Sequence, residues 1–259
     1  MEWLVRLDGD EWSLEDLPEW FSQLDHKVRL EDRKYYLTSS ALKHCTASSA
    51  VYELAEQIVE RINGASRAFQ PRFRPVQLGS EIVQVLDDGT RRVHQHIVVK
   101  GHQIWVKMGR LTPLSGGNPP PPQPSEPERL VAQWEAEGHS SDLGRVLRVW
   151  LLPQTWGSLY HIYESIKYDM SGRKRVRKDD WKALLPLLPN VSEAEAKRQL
   201  DRFRGTANDP EHAGIHARHG RPEPKPEPDP MTLIEAQGLV HQLLVAWLSG
   251  RPAKGVVIP

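Results

Sequence analysis

One cysteine, Cys45, is the only thiol in 259 residues. No internal disulfide can form and a cysteine-based zinc site is excluded, so a reducing compartment suits the chain best. Net charge is missing too, because 34 Lys and Arg balance 34 Asp and Glu. No global field therefore steers the protein to nucleic acid or membrane, and any polyanion site must be a local patch. Apolar runs stay well short of the ~18 residues of a membrane span. Met1 to Arg6 has neither the charged-then-apolar order of a signal peptide nor the pattern of a transit peptide. A cytoplasmic protein with no membrane association is expected.

Proline and tryptophan, by contrast, are plentiful. Pro119 to Pro122 run consecutively behind Gly116-Gly117-Asn118. Such a stretch cannot donate backbone hydrogen bonds and extends as polyproline, which marks residues 111–127 as a linker. At this length two cores are expected. Residues 1–110 read as α+β. Trp3–Leu7 and Lys34–Leu37 look like strands, and Ala47 to Ile62 is a helix with Ala47, Val51, Leu54, Ala55, Ile58 and Ile62 on one face. That helix is expected to stop at Asn63-Gly64. Apolar alternation over 82–86, 93–99 and 104–108, broken by Asp88-Gly89 and Gly101-His102, predicts an antiparallel meander covered by the helix. Residues 128–250 read as an all-α bundle, with 251–259 as a tail. Short helices start at Leu130 and near Leu143, a third covers Trp156–Met170 and ends near Gly172, and Ser192 with Glu195 opens a fourth as a capping box. The last helix follows Pro230.

The chemistry concentrates between the last two helices. Gly205-Thr206-Ala207-Asn208 is followed by Gly214-Ile215-His216-Ala217-Arg218-His219-Gly220. Asn208 suits a helix end, and the glycines permit unusual turns. Arg218 brings a permanent planar charge suited to phosphate, and His219 exchanges a proton near neutral pH. Together these are the groups that cleavage of an RNA phosphodiester requires. On the third helix, His161 and Glu164 stand three apart and share a face. Burial or a cationic neighbour would mark Glu164 as a site residue.

A helical bundle whose polar helix-end segment reads Ala217-Arg218-His219-Gly220, followed by a linker and the Glu235-Ala236 helix, resembles the HEPN superfamily of prokaryotic defence and toxin systems. The resemblance spans at most Glu128 to Gly250. Catalytic HEPN ribonucleases place a histidine a few residues after an arginine, whereas Arg218 and His219 are adjacent here. It implies an RNA-processing or nucleotide-associated defence or stress protein, acting without a cofactor. Arg218 and His219 are the closest matches to its motif, and Glu164 is the supporting acid. Those three and Asn208 would converge in a cleft at a homodimer seam.

Other features compete. Arg173 to Lys178 is a basic run that could meet RNA phosphates, although Asp179-Asp180 follow at once. His212, His216 and His219 have helical spacing for a metal, but Pro210 and the glycines argue against a regular helix there. His94 and His96 read as a strand edge, and Cys45 as a partly buried small residue. A second reading is a non-enzymatic interaction or sensor protein that holds a protein partner on a tryptophan-rich surface, given nine tryptophans.

Overall fold

Apolar residues at Trp3, Leu4, Val5 and Leu7 alternate imperfectly, because the strand they form is covered on both faces. In the computed structural model, which describes residues 1–95, 123–172, 180–214, 217 and 229–251, β1 (Glu2–Asp8) is the central strand of five. It pairs antiparallel with β3 (Lys34–Thr38) through Val5 and Leu37, and with β4 (Gln77–Val85) through Leu4 and Val83. A register shift between Val5 and Leu7 bends the β1–β4 ladder. β2 (Lys27–Glu31) and β5 (Arg91–Gln95) add on outside, giving the order β2-β3-β1-β4-β5. Trp3 and Val5 are buried on one side, with the Trp3 Nε1 donating to the Cys45 carbonyl at 3.2 Å. Leu4 packs with Tyr36 and Val83 on the other.

Two elements of this unit lacked a clear signal. β2 carries only Val28 and Leu30 as apolar residues, and its hairpin turns on Asp32 (φ 48°) and Arg33 (φ 63°) without the usual glycine. α1 (Glu11–Trp20) holds Pro18 in its interior yet buries Leu14 and Leu17. The turn at Asp88-Gly89 forms as expected, with Gly89 at φ 83° and the Leu86 amide bonded to the Thr90 carbonyl. The third expected meander strand, residues 111–122 of the expected linker and residues 252–259 of the expected tail lie outside the described residues, while a helix already begins at Glu126, inside the stretch expected as linker.

The chain divides into two compact units. One comprises residues 1–59 and 76–128, and the other residues 60–75 and 129–259. The second unit corrects one expectation. α2 runs Ser48–Phe69 and does not stop at Asn63-Gly64. Gly64 is there for close packing: a Cβ on it would stand 2.9 Å from the Trp134 ring and 3.3 Å from Leu147. A Cβ on Gly144 would stand 2.4 Å from Nε1 of the same indole. Trp134, fully buried, therefore needs both glycines. The last carbonyls of α2, left open by the helix, are taken by side chains: Trp150 Nε1 donates to Arg67 O at 3.1 Å, and His241 Nε2 to Ala68 O at 2.9 Å.

α3 (Glu126–Glu137), α4 (Asp142–Leu151), α5 (Trp156–Met170), a 3-10 helix (Asp180–Leu187), α6 (Glu193–Asn208), α7 (Pro210–Ala213) and α8 (Leu233–Gly250) follow. α5 is the axis of the helical unit, packing against α4, α6, α8 and the 3-10 helix. A reciprocal Thr155–Ser158 capping box opens it, and Gly172 at φ 71° follows its end. At that end Arg251 donates to both Asp169 (2.9 Å) and Glu137 (2.9 Å), and its guanidinium lies 4.4 Å over the Trp247 ring, whose own Nε1 reaches Asp169. No helix among the described residues is long and apolar enough to cross a membrane.

Three measurements check this account. Gly144→Ala should lose about 1–3 kcal/mol in denaturant unfolding, since the indole and the His139 carbonyl leave no room for a methyl. Arg251→Ala, which removes the counter-charge from two largely buried carboxylates, should cost about 3 kcal/mol in the same assay. Burial, with the hydrogen bond to Glu81, pushes the Tyr36 phenol up to about 12. Its neutral form therefore stabilises the fold fully below the ordinary phenol range near ~10, and that contribution fades as pH rises to about 12. Tyr36→Phe should flatten the loss of stability in that alkaline window.

Candidate functional site

α6 is held to α5 by aromatic packing. Phe203, fully buried, lies 5.3 Å from the Tyr163 ring, 6.0 Å from Tyr160 and 6.2 Å from Trp156. Ser192 caps the start of α6 through the Glu195 amide at 3.2 Å. The reciprocal half of the expected capping box is absent, because the Glu195 carboxylate is taken by Arg198 in a two-pronged bond (2.9 Å each) and by Gln199. Those bonds hold Glu195 down at about 2. Thr206, buried, donates to the Arg202 carbonyl and accepts from the Met231 amide at 2.9 Å, which ties the approach to α8 onto α6.

With α6 so fixed, its last turns present Arg204 and Asn208 one helical turn apart. The Arg204 Nε and the Asn208 Oδ1 are both buried without a hydrogen-bond partner among the described residues, and so is the Tyr163 hydroxyl on α5. Buried polar atoms are ordinarily satisfied, so three orphans on facing helices call for an explanation. Burial raises the Tyr163 pKa in spite of Arg204, whose charge pulls it down, and Tyr160, Asp201 and Glu164 push it further up. Arg204, Asp201 and Glu164 thus all act on one phenol. Lys167 sits 5.3 Å over the same ring.

Of the four residues singled out from the sequence, Glu164 is half-buried on α5 and Asn208 closes α6. Arg218 and His219 lie outside the described residues, as do the basic run over 173–178, His96 and His216. His161 is exposed. His94 is more than a strand edge, since its ring meets that of Trp3 at 5.5 Å. Among the described residues no group of three or more His, Cys, Asp or Glu side chains could hold a metal ion. Cys45 is half-buried. Of the nine tryptophans, Trp3, Trp134, Trp150, Trp156, Trp181 and Trp247 are core residues, Trp12 and Trp20 are half-buried, and Trp105 lies outside the described residues. Large flat indoles were recruited to fill interiors.

One residue escaped sequence reasoning. Asp209, 1% exposed, follows Asn208 and accepts from the Glu211 amide at 3.0 Å and from His212 Nδ1 at 2.9 Å. These two bonds hold its carboxyl below the usual range. The available signal was Asp209-Pro210, a cap residue followed by the proline favoured at a first helical position, with a histidine on the same short turn. Arg204 carried a signal only through its distance to His212, which is longer than the arginine-to-histidine spacing of catalytic HEPN ribonucleases.

No family model, curated protein or solved structure matches this chain. The reading of the site rests on its geometry. An orphaned buried hydroxyl costs stability, so Tyr163→Phe should raise the unfolding free energy by about 1 kcal/mol. A fall of similar size would mean that the hydroxyl has a partner.

Proposed function

We propose that the helical unit is a HEPN-like RNA-processing domain that cleaves RNA phosphodiesters at the C-terminal end of α6, of the kind found in prokaryotic defence and toxin systems. The observation that carries this reading is the set of orphaned polar atoms on Arg204, Asn208 and Tyr163. The Arg204 Nε–H and the Tyr163 hydroxyl, donors with no partner among the described residues, suit the non-bridging oxygens of a phosphate, while the Asn208 Oδ1, an acceptor, suits a hydroxyl or N–H of the RNA. Ten residues past Asn208 the chain reads Arg218-His219, a second fixed cation and a group able to move a proton. In this scheme Arg204 and Arg218 neutralise charge on the phosphorane, Asn208 orients the strand, His219 transfers a proton, and Glu164 on α5 holds the cationic side chains in place. A second copy of the chain pairs across this face, and the basic run over 173–178 supplies local attraction to the RNA without a global field.

Incubating the purified protein with end-labelled single-stranded RNA in the presence of EDTA tests the proposal. Cleavage should occur. His219→Ala should slow it by about 10²-fold or more without shifting the melting temperature, and unchanged cleavage would remove His219 from the reaction.

A further inference from the structure

The structure holds a second proton-transfer element that the residues above do not use. His212 Nδ1 stands 2.9 Å from Asp209 Oδ2, and a carboxylate has no proton to donate, so the bond runs from Nδ1–H to the oxygen. The Asp209 side chain is 2% exposed, while the imidazole is 32% exposed. The carboxylate is itself anchored by the Glu211 amide, so it is held from two sides. A buried, anchored acid that fixes one ring nitrogen leaves the other, Nε2, with its lone pair directed away from the acid. The pair begins one residue after Asn208 and five after Arg204.

We propose that His212 Nε2 is a general base of the cleavage reaction and that Asp209 is its positioning residue; this rests on the RNA-processing reading. The 2′-hydroxyl proton passes to Nε2, and the 2′-oxygen bonds to phosphorus as the bond from phosphorus to the 5′-oxygen breaks. The departing 5′-oxygen takes a proton from water. The imidazolium then neutralises the hydroxide left behind, and the products are a 2′,3′-cyclic phosphate and a 5′-hydroxyl.

Asp209→Asn discriminates. Asparagine keeps the cap on the Glu211 amide through its carbonyl oxygen, so the fold survives. Its amide presents N–H groups to Nδ1, which must then accept, and the proton moves to Nε2. Wild-type protein should show the Nδ1–H tautomer of His212 in long-range ¹H–¹⁵N spectra, and Asp209→Asn the Nε2–H tautomer. Cleavage of the labelled RNA should fall about 10²-fold or more in kcat with KM little changed. His212→Gln should lose as much, and the double variant no more. If the wild type cleaves and Asp209→Asn matches it, or if wild-type His212 already carries Nε2–H, the dyad has no part in the reaction while the RNA-processing reading stands. If the wild type cleaves nothing, both fall together.

Discussion

The packing of Phe203 among Trp156, Tyr160 and Tyr163 decides where the chemistry of the helical unit stands. Three ring contacts along one face of α5 fix both the height and the rotation of α6. Because side chains four apart on a helix share a face, that rotation sets the direction of Arg204 and Asn208 together. Loss of the aromatic contact would release both. The same packing removes water from the Tyr163 hydroxyl, which has no hydrogen-bond partner among the described residues.

Charge is handled differently in different parts of the unit. At the end of α5 the Arg251 guanidinium pairs with two carboxylates and lies over an indole, so its charge is neutralised within the fold. The exposed side of α6 likewise closes its charges among themselves, Lys197 with Asp201 and Arg198 with Glu195. Exposed pairs of this sort contribute little to stability, and they do not advertise a site. Arg204 is the contrast. Its Nη1 reaches Asp201 only at 3.5 Å, and its Nε is buried with no hydrogen-bond partner among the described residues. A short turn further on, Asp209 is buried for the sake of one imidazole.

Much of the helical order was legible because it depends on local rules. The bounds of α5 follow from its apolar spacing and from Gly172 behind it, and α8 begins just after Pro230, where the structure adds a Thr232–Glu235 capping box not expected from the sequence. Gly64 misled for the opposite reason. A glycine after asparagine reads as a helix stop, yet here it is a gap cut for an indole that arrives from seventy residues further along the chain. β2 went unseen because its two apolar residues and its Asp32-Arg33 turn carry no pattern until β3 pairs with them. Counting tryptophans suggested a binding surface, but composition cannot tell a core from an exterior.

The amino-acid sequence on its own determined the α+β start, the helical remainder, the single thiol and the neutral charge, and it located the polar stretch around Asn208. These depend on residue type and on spacing over a few turns. Which polar atoms are stranded, and which histidine an acid holds, was decided only by the tertiary structure. Burial and hydrogen-bond partnership are properties of surfaces brought together from distant positions: Tyr163 loses water to Phe203 forty residues away, while Asp209 becomes an anchor because the helix breaks beneath it and turns its carboxylate inward.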